Sequence, residues 1–145
     1  MANTRSINSS CIKSSNGSII SVTENGKRFM IKNKDRNTIQ IIHVDGCAIA
    51  NNAIRCDYII IENNMLCHII ELKGKNISHA LAQILATINH FNGTLFSDVD
   101  DLRCYIVCSG APAMSASNGA KKLEFARKTG IIPMIKCGCI ELIAT

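Results

Sequence analysis

No run in the chain approaches the roughly 20 consecutive apolar residues that a membrane-crossing helix needs. Stretches such as "DYIII" are far too short, which excludes a helical span on sequence grounds. No signal peptide is expected either: the start "MANTRSINSS" is polar and lacks an apolar h-region. The 8 cysteines are therefore expected to be small buried thiols in a reducing cytoplasm, not a disulfide framework. Pairs of cysteines with two residues between them, the usual spacing of a structural zinc site, are also lacking. The nearest approximations are Cys104 and Cys108 in "CYIVC" and Cys137 and Cys139 in "CGC", and a zinc protein built on these four stands as an alternative. There is no internal repeat and no low-complexity segment. Charge of one sign is not in large excess either, with 16 Lys and Arg against 11 Asp and Glu. The resulting +5 suits a polyanionic partner and equally an ordinary solvated surface.

What is present fits one domain: 145 residues, 47% of them hydrophobic, can build a globular core. Residues 1–17, "MANTRSINSSCIKSSNG", are rich in Ser and Asn and read as a polar, loosely held N-terminal arm, followed by a single domain over 18–145. "KRFMIKN" and "TIQIIHV", separated by "KDRN", predict a hairpin of strands near 28–33 and 38–44, and "VDG" then turns the chain. "CDYIIIE" and "LCHIIELK" predict a second hairpin made of central strands. From Asn76 the period changes to 3.6: Ile77, Leu81, Ile84, Ile88 and Phe91 form one stripe, with Asn76 or Ser78 as N-cap and Asn92-Gly93 as stop. "LRCYIVCS" is then a strand, "NGAKKLEFARKTG" a short basic helix closed by Gly130, and "IIPMIK" and "CIELIA" are strands. The fold class is α/β (α+β), a mixed central β-sheet flanked by helices.

Within this pattern "IELKGK" stands out, because Glu71 and Lys73 interrupt an otherwise apolar strand. Residues two apart on a strand share a face, so these two project together. Whether Asp57 joins them depends on register. A two-residue turn at Asn63-Asn64 would set Asp57 opposite Ile70, on the wrong face, whereas a three-residue loop pairs Glu62 with Leu66 and sets Asp57 opposite Glu71. Asn tolerates the left-handed backbone of three-residue loops, so the second register is expected, and a bulge would serve equally. Two carboxylates at close range repel unless a hard divalent cation such as Mg²⁺ lies between them. A neighbouring ammonium can orient a water and offset charge developing on a phosphate. Plain cross-strand ion pairs, contributing roughly 0.2–1 kcal/mol, are the competing reading. Ile59, Ile61, Cys67 and Ile69 alternate with the charges, however, and indicate that both faces of the hairpin are covered.

The order Asp57, hairpin, Glu71-Leu72-Lys73 in "RCDYIIIENNMLCHIIELKG" resembles the core motif of the PD-(D/E)XK nuclease superfamily, and the resemblance spans about residues 28–110. It implies a restriction-endonuclease-like αβββαβ core and hydrolysis of phosphodiester bonds with Mg²⁺, or Mn²⁺ as a substitute. By that resemblance Asp57 and Glu71 would bind the metal, the Leu72 carbonyl would be a further ligand and Lys73 would serve the attacking water. Cys56 stands where the family's name has a proline. Some members carry a Gln on the following helix, which Gln83 matches, with His79 on the same flank; a solvated flank explains both side chains as well. Some carry an acid on a helix before the hairpins, for which Glu24 is the nearby candidate.

The expected activity is thus a Mg²⁺-dependent deoxyribonuclease, acting as an endonuclease on DNA more than RNA, with no membrane partner. Lys75, His79, Lys121 and Lys122 are the candidate nucleic-acid contacts, although Lys121, Lys122, Arg127 and Lys128 equally make a solvated helix face. A chain this small has little surface for reading sequence, so cutting of particular DNA structures, as a homodimer, or with a partner protein is expected. A nuclease-fold module that binds nucleic acid or protein without hydrolysis is the alternative. Asp45 in "HVDG" reads as a turn residue, and His43 and His68 as satisfied sheet residues.

Overall fold

The computed structural model describes residues 4, 7–49, 53–63, 65–72, 76–97, 99, 101–109 and 116–145. Its centre is the Ile-rich pair β5 (Tyr58–Glu62) and β6 (Leu66–Glu71), and all six residues of β6 are buried. Strands apolar at successive positions have no face to give to water and must lie inside a sheet covered on both sides. Around the pair are β1 (Ile12–Ser15), β4 (Ile39–His43), β7 (Asp101–Cys108) and β8 (Met134–Cys137), giving a six-stranded sheet in the order β1-β4-β5-β6-β7-β8. The pairs from β1 to β6 are antiparallel, and β6–β7 and β7–β8 are parallel. Parallel neighbours require a crossover, supplied here by α1 (Ile77–Phe91) and α2 (Ala116–Thr129). A second sheet of β2 (Ile19–Glu24), β3 (Lys27–Lys32) and β9 (Cys139–Ile143) has the order β2-β3-β9.

Strand parity divides the core into two layers. Ile59, Ile61, Cys67, Ile69 and Ile106 pack toward α1 and α2. Ile60, Ile70, Tyr105 and Val107 pack toward Phe29 and Ile31 of the small sheet. The result is a mixed α/β fold of three layers, and no helix among the described residues is long and apolar enough to cross a membrane.

The second predicted hairpin, the helix from Asn76, the basic helix closed by Gly130 and the last two strands all form. The first predicted hairpin does not. Its two strands exist as β3 and β4 but belong to different sheets, stacked face to face with Ile31 and Ile39 in one apolar cluster. Asn33 makes the transfer: fully buried, its amide donates to Gly17 O at 2.9 Å and Asn37 O at 2.8 Å and accepts from Asn37 N at 3.1 Å. β3 pairs instead with β2 through Asn25-Gly26, both at positive φ, as a two-residue hairpin turn requires.

Three further expectations change. The arm is not loose over Ile12–Ser15, which pairs with β4 as an edge strand. Cys11 and Cys47 are joined in a disulfide, so the reading of eight thiols holds for six. The strand–strand–strand–helix–strand part of the expected core is present as β4, β5, β6, α1 and β7, but no α-helix precedes it among the described residues. Glu24 accordingly lies on β2 and not on a leading helix.

Candidate active site

The β5–β6 turn sets the geometry. Glu62 pairs with Leu66, Met65 N donates to Glu62 O at 3.1 Å, and Asn63 takes the left-handed conformation at φ 53°. Tyr58 therefore faces Ile70, where the paired ladder ends, and Asp57 and Glu71 are the next residues on the two strands at that same end. Asp57 N donates to Ile70 O at 3.1 Å, the residue already opposite Tyr58, so the pairing slips by one position there in the manner of a bulge. Glu71, paired with Ile106, shares the parity of Cys67 and Ile69 and so lies on the face that α1 covers; the alternation does not carry through Asp57, since Cys56 joins the same α1-facing cluster as Ile59. Asp57 and Glu71 are 3% and 0% exposed. The Leu72 N–H donates to Asp57 Oδ2 at 2.8 Å, fastening the carboxylate to the end of β6. Charge from both carboxylates reaches the adjoining Cys56 thiol: burial pushes its pKa up, and Glu71 and Asp57 push it further.

Helix α1 is bolted to the residues just before Asp57. The Thr87 hydroxyl accepts from Cys56 N at 2.8 Å and donates to Gln83 O at 2.9 Å, while Gln83 Nε2 donates to Arg55 O at 3.2 Å. Gln83 is thus half-buried and engaged with the strand entry, not a solvated flank residue. Thr87, 0% exposed, was not foreseen; the signal was a hydroxyl on the apolar stripe of Ile77, Ala80, Ile84 and Phe91.

Beside this junction opens a cleft of about 280 Å³ lined by Asp45, Ala53, Ile54, Arg55, His79 and Gln83. It brings His79 and Gln83 together, and Arg55 is held there by Asp45 through Nε at 2.8 Å and a terminal nitrogen at 2.7 Å. Asp45 is therefore more than a turn residue. Lys121 lines a different groove, between α1 and α2, and pairs with Glu124; Lys122 lines neither. Lys73 and Lys75 lie outside the described residues. His68 is buried and bonded to Glu62 and Tyr105, a satisfied sheet residue as expected, and the exposed His43 stacks on Tyr58 at 5.2 Å.

Two buried carboxylates at the same end of the β5–β6 pair suit a hard divalent cation, whose charge offsets their repulsion where water is excluded. Asp57, Glu71 and the Leu72 carbonyl would hold it, with waters completing the shell, as Mg²⁺ prefers. No group of three or more His, Cys, Asp or Glu suited to a metal occurs among the described residues. The four-cysteine alternative does not assemble: Cys108 and Cys137 meet, whereas Cys104 lies four positions back along β7 and Cys139 opens a strand of the other sheet. No protein-family model, curated protein or solved structure matches the chain.

Proposed function

We propose that the protein is a metal-dependent nuclease hydrolysing phosphodiester bonds in DNA, a deoxyribonuclease of endonuclease type. The observation that carries the reading is the burial of Asp57 and Glu71 at the same end of the β5–β6 pair, with Asp57 Oδ2 fastened to Leu72 N–H and both charges felt at Cys56. Burying two acids side by side costs stability unless their charge is used, and a cation between them is the simplest use. When bound, Mg²⁺ or Mn²⁺ supplies Lewis-acid polarisation of the phosphate and an acidified water. Leu72 N–H keeps Asp57 in place, and the Thr87–Cys56 and Gln83–Arg55 bonds fix the strand entry. His79 and Arg55 line the adjoining cleft, and in this reading they would meet the substrate's phosphates, Arg55 from its pairing with Asp45. Lys73 enters by its sequence position, two past Glu71, as the group that serves the water. The six thiols favour a reducing, cytoplasmic setting, and the Cys11–Cys47 disulfide counts the other way.

The test uses labelled linear, single-stranded and branched DNA and RNA with Mg²⁺, Mn²⁺ or chelator. Cleavage of DNA that requires metal and falls by about a hundredfold or more in Glu71→Gln and in Lys73→Ala is expected. Binding without cleavage under every condition, unchanged in both variants, would sink the nuclease and leave a non-catalytic binding module.

A further inference from the structure

Cys108 and Cys137 are the last residues of β7 and β8 and face each other in parallel register, with their Sγ atoms 3.6 Å apart. Neighbouring strands lie about 4.8 Å apart, inside the roughly 4.4–6.8 Å Cα separation that a disulfide spans. The two thiols differ in access: Cys137 is exposed and Cys108 is 0% exposed. β8 is a short edge strand with four register pairs, bonded in its sheet to β7 alone, so it can shift to close the remaining gap. The third nearby cysteine is turned away. Gly138, at φ 74°, donates to Cys108 O at 3.0 Å and accepts from Arg28 N at 2.9 Å, which sends Cys139 into β9 opposite Arg28.

We propose that Cys108 and Cys137 form a peroxide-oxidised dithiol site, in which Cys137 reacts first and Cys108 resolves it into a disulfide that staples β8 to β7. The Cys137 thiolate attacks a peroxide oxygen; an S–O bond forms, the O–O bond breaks, and Cys137 becomes a sulfenic acid as hydroxide leaves and is protonated to water. The Cys108 sulfur then displaces the sulfenic hydroxyl; an S–S bond forms, the S–O bond breaks, and the departing hydroxide takes the Cys108 proton. Two thiols are oxidised and one peroxide is reduced to two waters. Burial raises the Cys108 pKa to about 11, in keeping with the resolving and not the attacking role. The site shares the face of Ile106 and Ile135 and lies at the sheet end where Glu71 sits, since Glu71 pairs with Ile106 two residues before Cys108. It does not depend on the nuclease reading.

The full chain, freshly reduced, is treated with a stoichiometric amount of hydrogen peroxide and analysed by intact mass, non-reducing electrophoresis and peptide mapping. Expected are a monomer carrying a Cys108–Cys137 link, the same link in Cys139→Ser, its loss in Cys137→Ser, and a dimedone-trapped sulfenic acid at Cys137 in Cys108→Ser. A Cys137–Cys139 link, a dimer through Cys137, or Cys137 driven to sulfinic acid while Cys108 stays alkylatable after unfolding would each overturn the proposal.

Discussion

The Thr87 hydroxyl satisfies a backbone N–H of the strand entry and a carbonyl of its own helix, so a single oxygen couples α1 to the residue before Asp57. Thr87→Val keeps the shape and removes the acceptor, leaving the buried Cys56 N–H without its bond at a cost of about 1–3 kcal/mol. Urea unfolding should register that loss, Thr87→Ser should retain most of the stability, and metal-dependent cleavage should fall in the Val variant although Asp57 and Glu71 are untouched. The two carboxylates were conspicuous in the sequence as charge inside apolar strands, but the slip in pairing at Asp57 was not, because parity arithmetic assumes an unbroken ladder. Thr87 was visible only as a polar residue on an apolar stripe. Its partner lies 31 positions away, and no local pattern specifies such a bond. The link between Asp45 and Arg55 was hidden for the same reason: an Asp-Gly pair accounts for itself as a turn.

Among the elements, the β5–β6 loop has the largest effect for the fewest residues. Removing one residue between Asn63 and Met65 leaves a two-residue connection, and the pleat then carries Asp57 to the opposite face. Such a deletion is expected to abolish cleavage and to lower the unfolding midpoint by well over the effect of Asn63→Ala, because Ile59 and Ile61 change faces together with Asp57. Equal midpoints for the two variants would show that the register is not fixed by loop length. Strand and helix identities were readable from periods of 2 and 3.6. The pairing of β3 was not, since an alternating strand declares which face is apolar and says nothing about which edge it joins. The better guide was "NG" at Asn25-Gly26, flanked by Val22 and Phe29, which marks β2 and β3 as the hairpin.

At the scale of the whole molecule, the two sheets are held in part through Glu62. Its Oε2 bonds to His68, itself beside Tyr105 and Phe29, and its Oε1 accepts from Thr145 N at 3.1 Å. Burial opposes ionisation of Glu62, but the hydrogen bond and charge of His68 outweigh it and hold the carboxyl below its ordinary value of 4.5. The unfolded chain then binds more protons than the folded one between that value and the lower folded one. The stabilisation is accordingly full above about pH 4.5 and is lost as pH falls through the folded value. Urea midpoints measured down this range should drop for the native chain and drop less for Glu62→Gln; parallel curves would refute the assignment. A different consequence follows from β9. This strand lies parallel to β3, so Arg28 is matched with Cys139 and Phe29 with Ile140. During synthesis the first two strands of the small sheet emerge before their third neighbour, which follows only after every strand of the main sheet. Until residues 139–143 are made, the inward side of β2 and β3 lacks Ile140 and β3 lacks its second partner, so the nascent chain exposes apolar surface and an unpaired strand edge.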